Sequence, residues 1–230
     1  MGRIHGWPAI LTEPDLLELP LTLQPLRFSD APVWHQLRAA NAAWLSPWVP
    51  ATNPEALPVQ SRIRRYTGLA RQTPVWPYLS ISRDLWETRR GVAFRWGVRY
   101  GGQLAGQVSA WHVTWGPTRS ADVAYWIDEK FAGRGIAPTA VAMAVDHCIL
   151  VMGLHRLVAS IRPENAASRR VVEKLGFRNE GLHVGEVHID GAWRDHLCYA
   201  ITAEEAPAGL LPRWRCSLAA ARSDRVGEPT

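Results

Sequence analysis

Ala121-Asp122-Val123-Ala124-Tyr125-Trp126-Ile127-Asp128, followed by Phe131-Ala132-Gly133-Arg134-Gly135-Ile136-Ala137, is the stretch from which the fold can be read. The first segment has the composition and length of a strand. The second is a glycine-rich turn. After it, Ala137, Val141, Ala144, Val145, Cys148, Ile149 and Met152 recur at helical spacing until Gly153. A strand, a glycine turn and a helix together make an anion cradle. Glycine lets backbone N–H groups approach oxygens without a Cβ in the way, and a helix N-terminus carries about half a positive charge. A pyrophosphate fits that geometry, and so does a plain tight turn with Arg134 merely solvated. No Gly-Lys-Ser/Thr follows, which excludes a Walker loop. The third glycine of the dinucleotide fingerprint is missing, and hairpins precede the turn rather than a βαβ unit.

Working outward, Val92–Tyr100 and Gln103–Trp115 flank Gly101-Gly102 and read as a hairpin. Gly116-Pro117 then leads into the strand at 121–128, so three antiparallel strands run in sequence. Upstream, Leu21–Arg27 is a short strand. Ser29 or Asp30 caps a helix that reaches about Leu45, with Pro32 in its first turn, and Ser46-Pro47-Trp48-Val49-Pro50 breaks it. Residues 51–90 read as two helical pieces, Val59–Arg71 and Leu79–Thr88, divided by Pro74-Val75-Trp76-Pro77. Downstream come a strand at His155–Ile161, a short helix at Asn165–Lys174, and a hairpin of Leu182–Ile189 with Trp193–Thr202 through Asp190-Gly191. Residues 1–20 read as an irregular arm, 21–202 as the folded domain, and 203–230 as a weakly packed tail. The fold class is α+β, with a mixed, mostly antiparallel sheet of six to seven strands and about four flanking helices.

Composition narrows the function classes. The chain has 230 residues, 47% hydrophobic and 20% charged, which excludes a wholly disordered or collagen-like chain. No run of about 18 apolar residues is present, so no membrane span is expected. Glu13, Asp15 and Glu18 interrupt the N-terminus, which does not read as a secretory signal. The net charge is +5, but the basic residues are spread along the chain, with small clusters at Arg62, Arg64, Arg65 and at Arg169, Arg170. A duplex-binding stripe would be denser, so direct nucleic-acid binding is not expected. Cys148, Cys198 and Cys216 are odd in number and widely spaced. That fits a reduced cytoplasm and neither a disulfide framework nor a zinc site, and no metal is expected.

The glycine turn resembles the acetyl-CoA pyrophosphate loop of the GCN5-related N-acetyltransferases (the GNAT superfamily), Gln/Arg-x-x-Gly-x-Gly/Ala. It matches at Gly135 and Ala137 and departs at Ala132, which removes one side chain and leaves the amide cradle. The segment from Arg162 to Phe177, with Asn165, Ser168 and Leu175-Gly176-Phe177, is similar to a second motif of that family. Ala124–Glu129 and Gly191–His196 resemble the RimJ/RimL branch, which acetylates ribosomal-protein N-termini. The similarity runs from about Leu21 to Thr202.

The resemblance implies a sheet splayed between its fourth and fifth strands, with acetyl-CoA as cosubstrate in the gap. Trp126 and Ile127 would pair through their backbone with the pantetheine amides. Gly133, Arg134, Gly135, Ile136 and Ala137 would hold the pyrophosphate. Asn165 would bond the pantetheine arm, and Ser168 would face the sulfur and protonate or orient the thiolate. Asn165 and Ser168 are equally what a helix N-terminus uses as caps. Relatives place a glutamate on the strand before the loop, and the nearest carboxylate here is Asp122. The tyrosine some relatives use as thiolate acid is replaced by Val172. His112, Glu87, His188 and Glu186 are further groups near the site, each reading more readily as a surface or hairpin residue.

The expected acceptor is a protein N-terminal α-amine, of a ribosomal or another protein, attacking directly in a ternary complex. A small-molecule amine and a non-catalytic CoA-sensing module are the alternatives. At pH 7 roughly a tenth of an α-amine is neutral, against about one part in 2,500 of a lysine amine, so such an acceptor needs less help from a base. Trp34 and Trp44 read as core. Trp48, Trp76 and Trp86 read as loop anchors or as the wall of a peptide groove. The chain is expected to be a monomer or a homodimer.

Overall fold

The structure is a computed structural model that describes residues 4–49, 76–189 and 191–226. The expected helix at Val59–Arg71, the arginine cluster within it and Asp190 lie outside the described residues. Along the chain run β1 (Leu11–Glu13), β2 (Leu21–Gln24), α1 (Ala31–Ala40), α2 (Ala42–Leu45), α3 (Trp76–Arg89), β3 (Ala93–Tyr100), β4 (Gln103–Thr114), β5 (Ser120–Ile127), α4 (Ile136–Asp146), β6 (Arg156–Ile161), α5 (Ala166–Leu175), β7 (Arg178–Ile189), β8 (Ala192–Thr202) and α6 (Leu211–Val226). Among the described residues one sheet takes all eight strands, in the order β1-β2-β3-β4-β5-β6-β8-β7. Every pairing is antiparallel except that of β5 with β6.

The central meander follows from its turns. Gly101 and Gly102 both have positive φ (55° and 83°), the two-residue hairpin geometry that matches strand twist. Alternate residues of β3 to β6 then point to one face and bury there. Phe94, Trp96, Val98, Val108, Leu157 and, from β8, Ile201 are buried in one core cluster with α4, which is apolar nearly all round because it lies between the sheet and α6. The helix that opens at Ile136 ends its regular turns at Asp146 and passes into a wider π-type turn at His147–Val151.

Two differences from the sequence reading lie at the ends. The arm at 1–20 contains β1, an eighth strand, and is packed: Trp7 lies against Phe94 and Trp96, and His147 donates a hydrogen bond to the Gly6 carbonyl at 2.7 Å. The stretch read as a weakly packed tail holds α6, whose Trp214 is 4% exposed and donates through Nε1 to Thr139 Oγ1 at 2.9 Å. Asp146, at the end of α4, accepts from the N–H groups of Leu210 and Leu211, the first-turn donors of α6. Burial raises the Asp146 carboxyl above the usual range, and those two N–H groups oppose the shift. Arg215 pairs with buried Glu13, so the first strand and the last helix are tied to each other. These anchors were invisible as pattern because each is a contact between segments far apart in sequence.

Trp214→Ala should destabilise the protein by about 3–5 kcal/mol in urea unfolding, as large-to-small core substitutions do. Trp214→Phe, which keeps most of the packing and loses the bond to Thr139, should cost about 1 kcal/mol.

Candidate functional site

β5 and β6 pair for three residues only: Ser120 with Arg156, Ala121 with Leu157 and Asp122 with Val158. Beyond Asp122 the two strands separate, so the sheet is parted at the seam where the splay was expected. Main-chain direction alternates along a strand, and two contacts fix its phase. Asp128 N–H bonds Ala105 O on the β4 side, whereas Arg119 O accepts from His155 and Arg156 on the β6 side. Odd residues of β5 therefore turn their N–H and C=O groups toward β6, and Val123, Tyr125 and Ile127 line the gap. Trp126 turns its backbone to β4, opposite Gln107. Of the two residues expected to present backbone to the gap, Ile127 does and Trp126 does not; Tyr125 takes its place. Ile127 O already accepts from Trp44 Nε1 at 3.2 Å. Trp44 is 37% exposed and spans the cleft wall rather than lying in the core.

At the wide end of the gap, the chain leaves β5 through Asp128, which Asn41 holds by a bond from Nδ2 while Asn41 Oδ1 accepts from Glu129 N–H. Gly133 and Gly135 follow with φ of 80° and 77°. Gly135 is the N-cap of α4. Pro138 has no N–H and Thr139 N–H bonds Gly135 O, so Ile136 and Ala137 are the first-turn donors without an intrahelical acceptor. The Ile136 side chain is buried, so it can serve a ligand only through its backbone, and Arg134 is exposed. A Cβ on Gly133 would meet nothing within 4 Å, whereas one on Gly135 would meet Leu17 at 3.3 Å and Trp214 at 3.7 Å. The space over Gly133 is thus the open mouth of an amide cradle, and the residues present fit a diphosphate.

Across the gap stands the start of α5. Asn165 Oδ1 caps it by accepting from Ser168 N–H at 3.0 Å, the capping reading of that residue. Ser168 Oγ donates to Tyr125 Oη at 2.8 Å, and the Tyr125 hydroxyl donates to Ser168 O at 2.9 Å. Ser168 is therefore tied to β5, through a tyrosine that the sequence shows only as part of a motif. Burial pushes the Tyr125 phenol well above its ordinary range, with the Ser168 hydroxyl opposing. It is a neutral hydrogen-bonding group and not a ready acid.

The opposite, open face of the sheet carries the carboxylates. Asp122 lies at the fork, where its Oδ2 is 2.9 Å from His112 Nδ1. Glu186 on β7 accepts from Ser160 Oγ at 3.3 Å, its Oε1 is 2.7 Å from His183 Nδ1, and its Oε2 is buried without a hydrogen-bond partner. Glu186, which reads from sequence as a surface or hairpin residue, is half-buried on β7. Arg38 lies over the Trp126 ring, and Arg162 reaches Pro47 O at 2.9 Å and lies over Trp48, so α1 and the segment after α2 close one side. Glu87 and His188 stand elsewhere: Glu87 pairs with Arg95, and His188 meets the Trp193 ring edge-on. No side chain is described for Trp76.

The family model described as an acetyltransferase (GNAT) domain matches residues 20–178. A solved structure of Mycobacterium smegmatis RimJ in complex with CoA-disulfide is 35% identical, covers 95% of this chain and 97% of that one, and superposes with a TM-score of 0.77. Among curated proteins, a probable N-acetyltransferase YjcK of Bacillus subtilis is 38% identical over 43% of this chain, and the [ribosomal protein uS5]-alanine N-acetyltransferase of Escherichia coli 29% over 46%. The chain spans 55% of the length of each of these two.

Because folding favours the neutral Tyr125 phenol, its contribution to stability is complete below about pH 10, where the unfolded tyrosine starts to ionise, and is lost as pH rises toward the higher folded value. Urea unfolding of Tyr125→Phe and of the parent protein should accordingly converge as pH rises above 10; parallel curves would contradict this.

Proposed function

The chain belongs to the GNAT acetyltransferase family, and from that premise we propose that it transfers an acetyl group from acetyl-CoA to the N-terminal α-amine of a protein, by direct attack within a ternary complex. The observation that carries this reading is the parted seam of β5 and β6, with an amide cradle at its wide end. Acetyl-CoA supplies the activated acyl thioester. The donors of Ile136 and Ala137, with the loop at Gly133, Arg134 and Gly135, hold its diphosphate. The gap-facing N–H and C=O groups of Tyr125, with the N–H of Ile127, offer hydrogen bonds along the seam, and a donor there polarises a carbonyl as an oxyanion hole does. Asn165 keeps α5 in place through its cap and borders the same gap. Ser168, held by Tyr125, is the hydroxyl that orients the leaving thiolate.

On the open face, Asp122 at the fork and Glu186 beyond it present negative charge to an incoming ammonium group, and Asp122 stands where the amine proton has to go. Proximity and carbonyl polarisation supply most of the acceleration. The α-amine acceptor is supported by the full-length likeness to RimJ and by the uS5-alanine activity named for the E. coli relative. A ribosomal-protein N-terminus in the cytoplasm is the acceptor this reading favours. Among the described residues no helix is long and apolar enough to cross a membrane.

Thiol release from acetyl-CoA should appear with peptides bearing a free α-amine and fall to background with their N-terminally blocked forms. Equal turnover on blocked peptides would reject α-amine specificity, and turnover only on small amines would replace the peptide acceptor. Gly133→Trp, which fills the open mouth of the cradle, should weaken acetyl-CoA binding at least about tenfold by calorimetry. Ser168→Ala should lower kcat about tenfold or more and leave acetyl-CoA affinity within twofold. An unchanged kcat would return Ser168 to a purely structural place at the start of α5.

A further inference from the structure

His112 has φ of 49°, the left-handed region that a Cβ disfavours. It sits at a bulge. β4 pairs with β5 at Trp111 with Asp122 and again at Thr114 with Ser120, so His112 and Val113 together oppose Ala121. The left-handed position of such a bulge is ordinarily glycine. The consequence is directional. Val113 keeps the inward place and is buried, as is Ala121 opposite. His112, which regular alternation would turn inward, is swung out onto the open face. There its ring lies against Trp111, centroids 3.9 Å apart, and Nδ1 meets Asp122 Oδ2 at 2.9 Å. A carboxylate only accepts, so Nδ1 carries the hydrogen and Nε2 keeps its lone pair. Asp122 is the last residue of β5 paired to β6, and the imidazole therefore stands at the fork itself.

We propose that His112 Nε2 is the base that takes the proton from the attacking amine, and that Asp122 is a positioning residue that fixes the ring and its tautomer. The inference rests on the acetyl-transfer reading and refines the part Asp122 has in it. The amine nitrogen bonds to the thioester carbonyl carbon, and the C–S bond breaks. The proton shed by the nitrogen goes to Nε2, and from there to solvent. The departing thiolate takes a proton from solvent by way of the Ser168 hydroxyl. Amine and acetyl thioester become amide and thiol, with no other reactant consumed. The logic is that of a base oriented by a third group. It accounts for a histidine at a backbone position that suits glycine.

His112→Gly is the decisive variant, because glycine accepts the observed φ and leaves room for a free imidazole. With the free-α-amine peptides above, kcat/KM should fall about 100-fold or more while acetyl-CoA affinity by calorimetry stays within twofold, and added imidazole should restore at least a tenth of the loss. Activity within threefold of the parent, or a loss that imidazole does not touch, would overturn the proposal. Two-bond 1H–15N spectra of labelled histidines at pH 8 give a readout independent of turnover. The resonance missing from His112→Gly should show the Nδ1–H tautomer in the parent and lose it in Asp122→Asn; an Nε2–H tautomer in the parent would overturn the dyad. Failure of the parent to bind acetyl-CoA would be a different result, and would remove the acetyl-transfer reading together with this one.

Discussion

The strands of the described residues share one sheet, yet one seam in it closes for three residues and then stops. That restraint governs the rest of the site. A strand's main-chain groups need partners, and those of Val123, Tyr125 and Ile127 face away from the strand that satisfies Trp126 and Asp128. The protein itself satisfies part of this demand, through the Trp44 indole on Ile127 O. What is left is an edge inside the sheet, ready to bond an extended molecule much as an outer edge bonds another strand. The glycine loop stands at the wide end of this edge and Asp122 at its narrow end, so a single fork in the hydrogen bonding sets the distance between the glycine turn and that carboxylate.

The gap is kept open from both sides. On β5, Asn41 ties Asp128 and its following turn to α1, fixing where the strand ends. On β6, the chain beyond Ile161 is drawn away by Arg162, which bonds Pro47 O and lies over Trp48. Between these anchors the Tyr125–Ser168 pair joins β5 to α5 without closing the strands on each other. The buried phenol is held neutral there, and this suits a spacer better than a proton donor.

The sequence made the middle of the molecule legible. Gly101-Gly102 announced the hairpin, the apolar period after Gly135 announced α4, and the glycine turn between β5 and α4 announced the cradle. These are local signals, read within a dozen residues. β1 and α6 were not legible in that way. Three residues of strand cannot show a period, and the register of α6 is set by Asp146, Thr139 and Glu13, none of which is near it in sequence. Within the site, Asn165, Ser168 and Asp122 were nameable from motif order, but the direction of the Trp126 backbone was not, because pairing phase depends on the partner strand. His112 was nameable only as one of several groups near the site, and its place at the fork was hidden for a related reason: an extra residue in a strand leaves no trace in composition, and the sign of φ is a property of the folded chain.

The bond between Glu13 and Arg215 joins residues 202 apart in sequence. A chain made from its N-terminus offers β1 to its partner helix only after the strands and helices between them have been synthesised. The indole of Trp214, which braces Thr139 and through it the carbonyl of Gly135, arrives equally late. The nascent protein can thus assemble its meander and its fork while translation continues, but the glycine turn ahead of α4 gains this support only once α6 has emerged. Support of that turn is in this sense timed by the synthesis of α6, and a polypeptide stalled before it carries the fork without this brace.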